Sequence, residues 1–315
     1  MRAVWLTEFG GPEVLVAREA PDPVLEPNQA LIDVAFANIT FIETQFRATG
    51  AGPFAGSLPM IPGNGVGGVV IAVGDEADPG LVGARVVTST GGSGGYAERV
   101  AVDAGAVFAV PEGLALDAAV ALLADGRTAT MLVDAAGLRT GDRVLVEAAA
   151  GGVGSLLVQL AKAAGAHVVA AAGGARKAGV ARELGADEAV DYREPGWASR
   201  VGKVDVVFDG VGGDLGRDAF GLLDRGGRML SFGLASGTWT AVAPEEAERR
   251  GVTLVRTAST PEELRAYTES ALAEAAAGRL RPLIGQRFPL ERAADAHAAI
   301  QSRATVGKTL LELTR

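Results

Sequence analysis

The stretch Val144-Leu-Val-Glu-Ala-Ala-Ala-Gly-Gly-Val-Gly154 decides the fold. Its apolar start reads as a buried strand, its glycines as a tight turn, and residues 155–164 as the helix that follows. Such a turn brings backbone N–H groups and a helix N-terminus up to a diphosphate with no side chain in the way. Gly151 and Gly152 permit that approach, Val153 carries the chain into the helix, and Gly154 lets the helix lie close on its strand. Ala149 stands where the first glycine of a full G-x-G-x-x-G would be, so the motif takes its meaning from its surroundings.

Those surroundings are a second strand, His167-Val-Val-Ala-Ala-Ala172, which closes a βαβ unit. Dinucleotide folds that bind an unphosphorylated adenosine ribose end this strand in Asp or Glu. Here Gly173-Gly174 stand there, followed by Arg176 and Lys177. A carboxylate repels a ribose 2′-phosphate, whereas small residues with nearby cations accept one. The expected cofactor is therefore NADPH. In the competing reading the two cations only solvate the start of the next helix.

The rest of the chain bounds the possibilities. Its 315 residues hold one large or two medium domains, and 48% hydrophobic content argues against disorder. A formal net charge of −9 makes nucleic acid or an anionic membrane an unsuitable partner. No apolar run is long enough to cross a bilayer, and residues 1–8 lack a signal-peptide core, so a cytoplasmic protein is expected. There are no cysteines and two histidines, which removes disulfides and thiolate-bound zinc. His167, at a strand start, and His297, on an alanine-rich helix, read as structural.

The first third carries short strands at 30–36, 66–73 and 84–88, a loop at 75–83 and the turn Gly91-Gly-Ser-Gly-Gly95, the pattern of a β-rich, barrel-like domain. From Asp117 the pattern becomes helices alternating with apolar strands. A helix is expected over 117–136, broken or bent at Asp125-Gly126. Helices at 176–184 and 215–223 alternate with strands at 204–208 and 228–232, giving an α/β doubly wound parallel sheet. Ligands of such sheets sit beyond the carboxyl ends of the strands, so Asp209, Phe232 and Gly233 should line the cofactor crevice. Thr260-Pro-Glu-Glu263 is a capping box opening a further helix, and 308–313 is a last strand.

Taken in order, Glu8-Phe-Gly-Gly-Pro-Glu-Val-Leu15, Phe41-Ile42, Ile61-Pro-Gly63, Gly94-Gly-Tyr-Ala-Glu98, Ala148-Ala-Ala-Gly-Gly-Val-Gly154, Glu183-Leu-Gly-Ala-Asp187, Asp191-Tyr-Arg-Glu194, Ser231-Phe-Gly233 and Ser302-Arg303 span nearly the whole chain. Together they resemble the zeta-crystallin-like quinone oxidoreductases of the medium-chain dehydrogenase/reductase superfamily. The resemblance implies a GroES-like β-rich catalytic domain from residues 1–120 and 266–315. A Rossmann NADPH-binding domain from 121–265 would be inserted between them, with the active site in the cleft. It also implies a homo-oligomer, a dimer in the first instance, and assigns Lys177 and Tyr192 to the 2′-phosphate.

Departures from the family matter for chemistry. Zinc-dependent relatives hold their metal with two cysteines and a histidine followed by glutamate. Thr40, Asn64 with Gly65, and Asp125 fall near those positions and make a poor zinc site, so metal-free catalysis is expected. The quinone reductases usually have asparagine where Thr40 stands and tyrosine where Gln45 stands, and they seldom have an acid before Gly126-Arg127-Thr128. Thr40, Thr128 and Asp125 are the candidate catalytic residues, and Phe41, Gln45, Asn64 and Arg127 the candidate pocket. Asp125 either moves a proton or anchors a polar substrate, or else it is an ion-paired group filling a vacated metal hole. The expected activity is delivery of hydride to a quinone or an α,β-unsaturated carbonyl. One alternative is a dedicated biosynthetic enoyl reductase, or a redox-neutral enzyme, acting on a polyketide-like or thioester substrate. The altered pocket and a short segment between Trp239 and Thr260 suit that reading. Another is a non-enzymatic NADPH- or RNA-binding protein, against which the acidic charge counts.

Overall fold

The computed structural model describes residues 1–54 and 56–313. The chain begins β1 (Arg2–Leu6), β2 (Leu15–Glu19), β3 (Gln29–Ile39), α1 (Phe41–Thr49), β4 (Gly65–Val73), β5 (Arg85–Ser89), β6 (Arg99–Asp103), β7 (Phe108–Ala109) and α2 (Leu116–Ala136). It continues β8 (Arg143–Glu147), α3 (Gly152–Ala163), β9 (His167–Ala172), α4 (Ala175–Glu183), β10 (Glu188–Asp191), β11 (Val204–Asp209), α5 (Gly213–Leu222), β12 (Leu223–Ser231), α6 (Pro244–Arg250) and β13 (Thr253–Leu254). The last elements are α7 (Pro261–Ala276), β14 (Ile284–Pro289), α8 (Ala293–Gln301) and β15 (Lys308–Glu312). Two compact units result, Met1–Ala124 with Leu272–Arg315, and Asp125–Ala271.

The first unit is organised by β3. Its eleven residues pair along one edge with β4 and along the other with β6 and then with β15, all antiparallel. The chain's last strand is thus held by one from its first forty residues. The seven-stranded sheet runs β14-β15-β3-β4-β5-β7, with β6 also on β3. Alternation along β3 sends Ala30, Ile32 and Val34 into a core with Leu6, Phe46, Val66, Val86, Tyr96 and Leu311. Between β3 and β4 the register shifts after Val34, opposite Gly68 and Gly67. A Cβ on Gly68 would lie 2.0 Å from the carbonyl oxygen of Asp33, so only glycine permits this approach.

The second unit is an all-parallel sheet in the order β10-β9-β8-β11-β12-β13. Counted from β8 this is 3-2-1-4-5-6, the doubly wound order whose strand sequence reverses between β8 and β11. Parallel strands covered on both faces read as continuous apolar runs, and Val144–Val146 and Val168–Ala172 are buried throughout. Two local expectations are corrected. The helix α2 runs unbroken through Asp125-Gly126. Its residues Val120, Leu122, Leu123 and Leu132 are buried on both sides of that pair, and their burial outweighs the ~1 kcal/mol cost of an interior glycine. Helix α3 begins at Gly152 rather than Ser155, which makes Gly152 and Gly154 helical residues.

Gly68→Ala should destabilise the first unit by about 2 kcal/mol, since backbone rather than a flexible side chain must give way. A thermal denaturation midpoint unchanged from the parent would refute the close approach.

Candidate functional site

The glycine turn begins where β8 ends. Ala148 has φ 48°, and it and Arg303 are the two non-glycine residues with positive φ among those described. That conformation costs on the order of 1–2 kcal/mol and is held by the Gly151 N–H, which donates to Ala148 O at 2.8 Å. A Cβ on Gly154 would lie 2.3 Å from the same oxygen, so the helix can lie this close to the turn only with glycine there. At Gly151 the nearest obstacle to a Cβ is Ala148 O at 3.1 Å. The first-turn N–H groups of α3 fall outside the i−4 ladder, which suits them to an anion. Val153 lies in that first turn, partly exposed.

Asp125, buried in the middle of α2, is brought to this turn. A Cβ on Gly152 would sit 1.9 Å from its Oδ2, so the carboxylate lies against the N-terminal end of α3, where the helix dipole favours negative charge. Its neighbours Arg127 and Thr128 are half-buried, and burial lowers the pKa of the Arg127 guanidinium.

At the other end of the βαβ unit, Gly173 lies beneath the Tyr192 hydroxyl, which would be 3.1 Å from a Cβ there. Gly174 has φ +107° and faces the Arg193 guanidinium. The position after β9 carries no acid of its own, yet a carboxylate reaches it from β10. Asp191 accepts the Gly174 N–H at 2.9 Å, the Arg193 N–H at 3.0 Å and two bonds from the Arg193 guanidinium, at 3.1 and 3.0 Å. The Arg193 hydrogen bond is the main cause holding the Asp191 pKa at about 2, so this carboxylate is ionised and already neutralised. Arg176 and Lys177 stand in the first turn of α4, which has no acidic residue. Cations at the positive end of a helix run against the usual charge rule. Arg193 was missed by sequence reasoning; its signal was adjacency to Tyr192.

Also missed was Glu147, which forms an acid pair with the expected Asp209 where strand order reverses. Glu147 ends β8 and Asp209 ends β11, and the two strands are neighbours in register. Both side chains are fully buried. Asp209 accepts four bonds: from Val211 N at 3.1 Å, Gly212 N at 2.8 Å, Ser231 Oγ at 2.8 Å and Thr240 Oγ1 at 2.6 Å. That is the donor set of a carboxylate. Neither Glu147 oxygen has a well-aligned partner. Burial first, and Asp209 second, push the Glu147 pKa well above the ordinary value, so this acid is neutral beside an anion. The backbone of Asp209 also ties the neighbouring strand end, since its carbonyl accepts Phe232 N at 2.8 Å and Gly233 N at 3.3 Å. The Phe232 ring covers Gly210.

In the first unit, Thr40 caps α1 and Asn64 precedes β4; one buried carboxylate, Glu43, joins them. Its Oε2 accepts Thr40 N–H and Thr40 Oγ1–H, both at 2.7 Å, and its Oε1 accepts Asn64 N–H at 3.0 Å and the Tyr96 hydroxyl at 3.3 Å. The Asn64 side chain accepts from Ser89 Oγ at 3.1 Å. Phe41 and Gln45, on the same helix, are half-buried. His297 is structural and buried, its Nε2 3.0 Å from the Tyr96 hydroxyl; burial lowers its pKa to about 3, so it is neutral. His167 Nε2 lies 2.8 Å from Glu188. Among the described residues no group of three or more His, Cys, Asp or Glu is placed to hold a metal, and no helix is long and apolar enough to cross a membrane.

Comparison with known proteins agrees with this architecture. Residues 26–112 match the "Alcohol dehydrogenase GroES-like domain" and residues 184–311 the "Zinc-binding dehydrogenase" description. The chain is 36% identical to a probable quinone oxidoreductase of Schizosaccharomyces pombe, covering 98% of this chain and 96% of that one. It is 34% identical to the quinone oxidoreductase of Homo sapiens, covering 99% and 98%. The crystal structure of Escherichia coli quinone oxidoreductase complexed with NADPH superposes with TM-score 0.91 at 31% identity, covering 99% of this chain and 100% of that one.

The raised pKa of Glu147 has a consequence for stability. Between about 4.5, its value in an unfolded chain, and its higher folded value, the native state holds a proton that the unfolded state has released. The stabilising contribution is therefore complete below that window and lost as pH rises through the folded pKa. Glu147→Gln should raise the melting temperature at pH ~8 relative to the parent and leave it nearly unchanged at pH ~4. Parallel melting curves across that range would contradict the assignment.

Proposed function

We propose that the chain, which belongs to the quinone oxidoreductase family of the medium-chain dehydrogenase/reductase superfamily, reduces quinones or α,β-unsaturated carbonyl compounds with NADPH and without a metal. The observation that carries this reading is the charge placement at the end of β9: no acid of its own, Arg176 and Lys177 at the wrong end of α4, and Arg193 over Gly174. A 2′-phosphate is the group that this gathering of positive charge suits. The glycine turn fits the diphosphate, because no side chain stands over the backbone at Gly151. NADPH, when bound, supplies hydride from its nicotinamide.

The residues of this chain then have the following work. Gly151, Gly152, Val153 and Gly154 receive the diphosphate, with Asp125 fixing the turn from behind Gly152; this favours a supporting over a catalytic role for that acid. Gly173, Gly174, Lys177, Tyr192 and Arg193 receive the 2′-phosphate. Asp209, Phe232 and Gly233, at the reversal of strand order, line the crevice for the rest of the dinucleotide. Thr128 is assigned to the nicotinamide and Thr40 to the substrate carbonyl, where a hydroxyl donor stabilises charge developing on oxygen. Phe41, Gln45, Asn64 and Arg127 shape the substrate pocket. The Asp125–Ala271 unit is the NADPH-binding domain and the other unit the catalytic domain. A cytoplasmic homodimer accords with the family, and gel filtration at about twice the monomer mass would support it.

Purified protein should oxidise NADPH with a simple quinone or enone, followed by loss of nicotinamide absorbance. Neither binding nor oxidation of NADPH with any such acceptor would defeat the proposal. Tight NADPH binding with poor turnover of simple quinones would instead move the substrate to the enoyl thioester class. Arg193→Glu and Lys177→Glu should each raise KM for NADPH by roughly 10- to 100-fold, the worth of a charge-assisted hydrogen bond, with little change for NADH. Equal losses with both cofactors would show that these residues do not read the 2′-phosphate.

A further inference from the structure

Glu43 is more deeply placed than a helix cap requires. The same chain contains a second Thr-x-x-Glu capping box, Thr260 with Glu263, whose paired backbone and side-chain bonds are made on the exposed surface. Capping α1 would likewise need only the reciprocal pair, the Thr40 N–H to Glu43 and the Glu43 N–H to the Thr40 side chain, both of which are present. Instead the Glu43 carboxyl is buried, aims Oε2 at the Thr40 hydroxyl at 2.7 Å, and ends a chain of polar groups running to Tyr96 Oη and His297 Nε2.

Resting on the assignment of Thr40 to the substrate carbonyl, we propose that Glu43 is the positioning residue for that hydroxyl and the store of the proton it delivers. The hydrogen-bond inventory shows why the protonation state matters. When Glu43 is ionised, the single Thr40 proton is committed to Oε2, and the hydroxyl can only accept a bond from a ligand. When Glu43 is protonated, its Oε2–H donates to Thr40 Oγ1, and the Thr40 proton is released to point at a carbonyl oxygen. NADPH, when bound, would supply hydride to the substrate's electron-poor carbon, and the displaced π pair would move onto the carbonyl oxygen. The Thr40 Oγ1–H proton goes to that oxygen, and the Glu43 Oε2–H proton replaces it on Oγ1. Glu43 is left as carboxylate, and a proton from water restores it.

Burial and polar neighbours act on the Glu43 carboxyl in opposite directions. Burial raises its pKa, opposed first by the bonds from Thr40 and then by the charge of Lys308 on β15 and the Asn64 N–H. The other groups facing it are neutral: Tyr96, whose pKa burial and Glu43 raise well above its ordinary value, and His297. Arg47, buried on α1, acts through Tyr96 and donates to the carbonyls of Gly10 and Thr44.

The test is a pH profile of kcat at saturating NADPH, for the parent, Glu43→Gln, Glu43→Asp and Thr40→Val, with NADPH affinity measured separately by fluorescence titration. The parent kcat should fall as pH rises through the raised pKa of Glu43. Glu43→Gln should lose that limb and about 100-fold in kcat, the scale of a positioned acid, with NADPH affinity unchanged. Glu43→Asp should restore a titrating limb. Should Glu43→Gln fail to fold, Thr40→Val must abolish the same limb. A Glu43→Gln enzyme with parental kcat and pH profile overturns the proposal, even if its melting temperature falls as a lost cap predicts. Absence of any NADPH oxidation by the parent would indict the functional reading instead.

Discussion

Backbone meets backbone at the end of β8, and the second unit is arranged around that contact. Gly154 lies where any side chain would strike the carbonyl of Ala148, and Ala148 itself accepts a left-handed conformation to make the turn. This lets α3 start at the strand's end, pointing its free N–H groups beyond the sheet. Parallel order on both sides of β8 then fixes where the strand sequence reverses and where a dinucleotide can lie. Asp125 closes the turn from the Gly152 side. Its charge is compatible with the helix dipole there, which explains how an acid is tolerated beside α3.

Buried acids recur at the points where chemistry is assigned, in two different electrostatic situations. Asp209 is surrounded by four donors, so its charge is solvated by the protein, and the adjoining Glu147 meets that charge with almost no donors. The pair resolves into one anion and one neutral acid. Glu43 has four donors too, yet burial still outweighs them in its balance. Asp191 is the contrasting surface case, ionised because Arg193 and the Gly174 N–H hold it.

The alternation of apolar strands and helices from 117 onward was legible, because buried parallel strands cannot tolerate polar residues and so announce themselves by composition. The glycine turn, the Gly173-Gly174 pair and the two cations after it were legible for the same local reason. The unbroken path of α2 was not, since a local rule about Asp-Gly loses to burial of flanking residues from elsewhere. Glu43 ends a Thr-x-x-Glu string like that of Glu263, and nothing in the string separates the two; only Tyr96 and the residues packed around it do.

Read alone, the chain of residues established the α/β class, the βαβ unit and the chemistry suited to a phosphorylated dinucleotide, because each depends on neighbours a few positions apart. Tertiary structure alone decided which charges meet. Asp191 and Arg193 reach Gly174 from the neighbouring strand, Glu147 reaches Asp209 over some sixty residues, and Glu43 reaches Tyr96 and Asn64 from other elements. Such contacts obey no sequence period, since they follow from strand order and register rather than from local propensity.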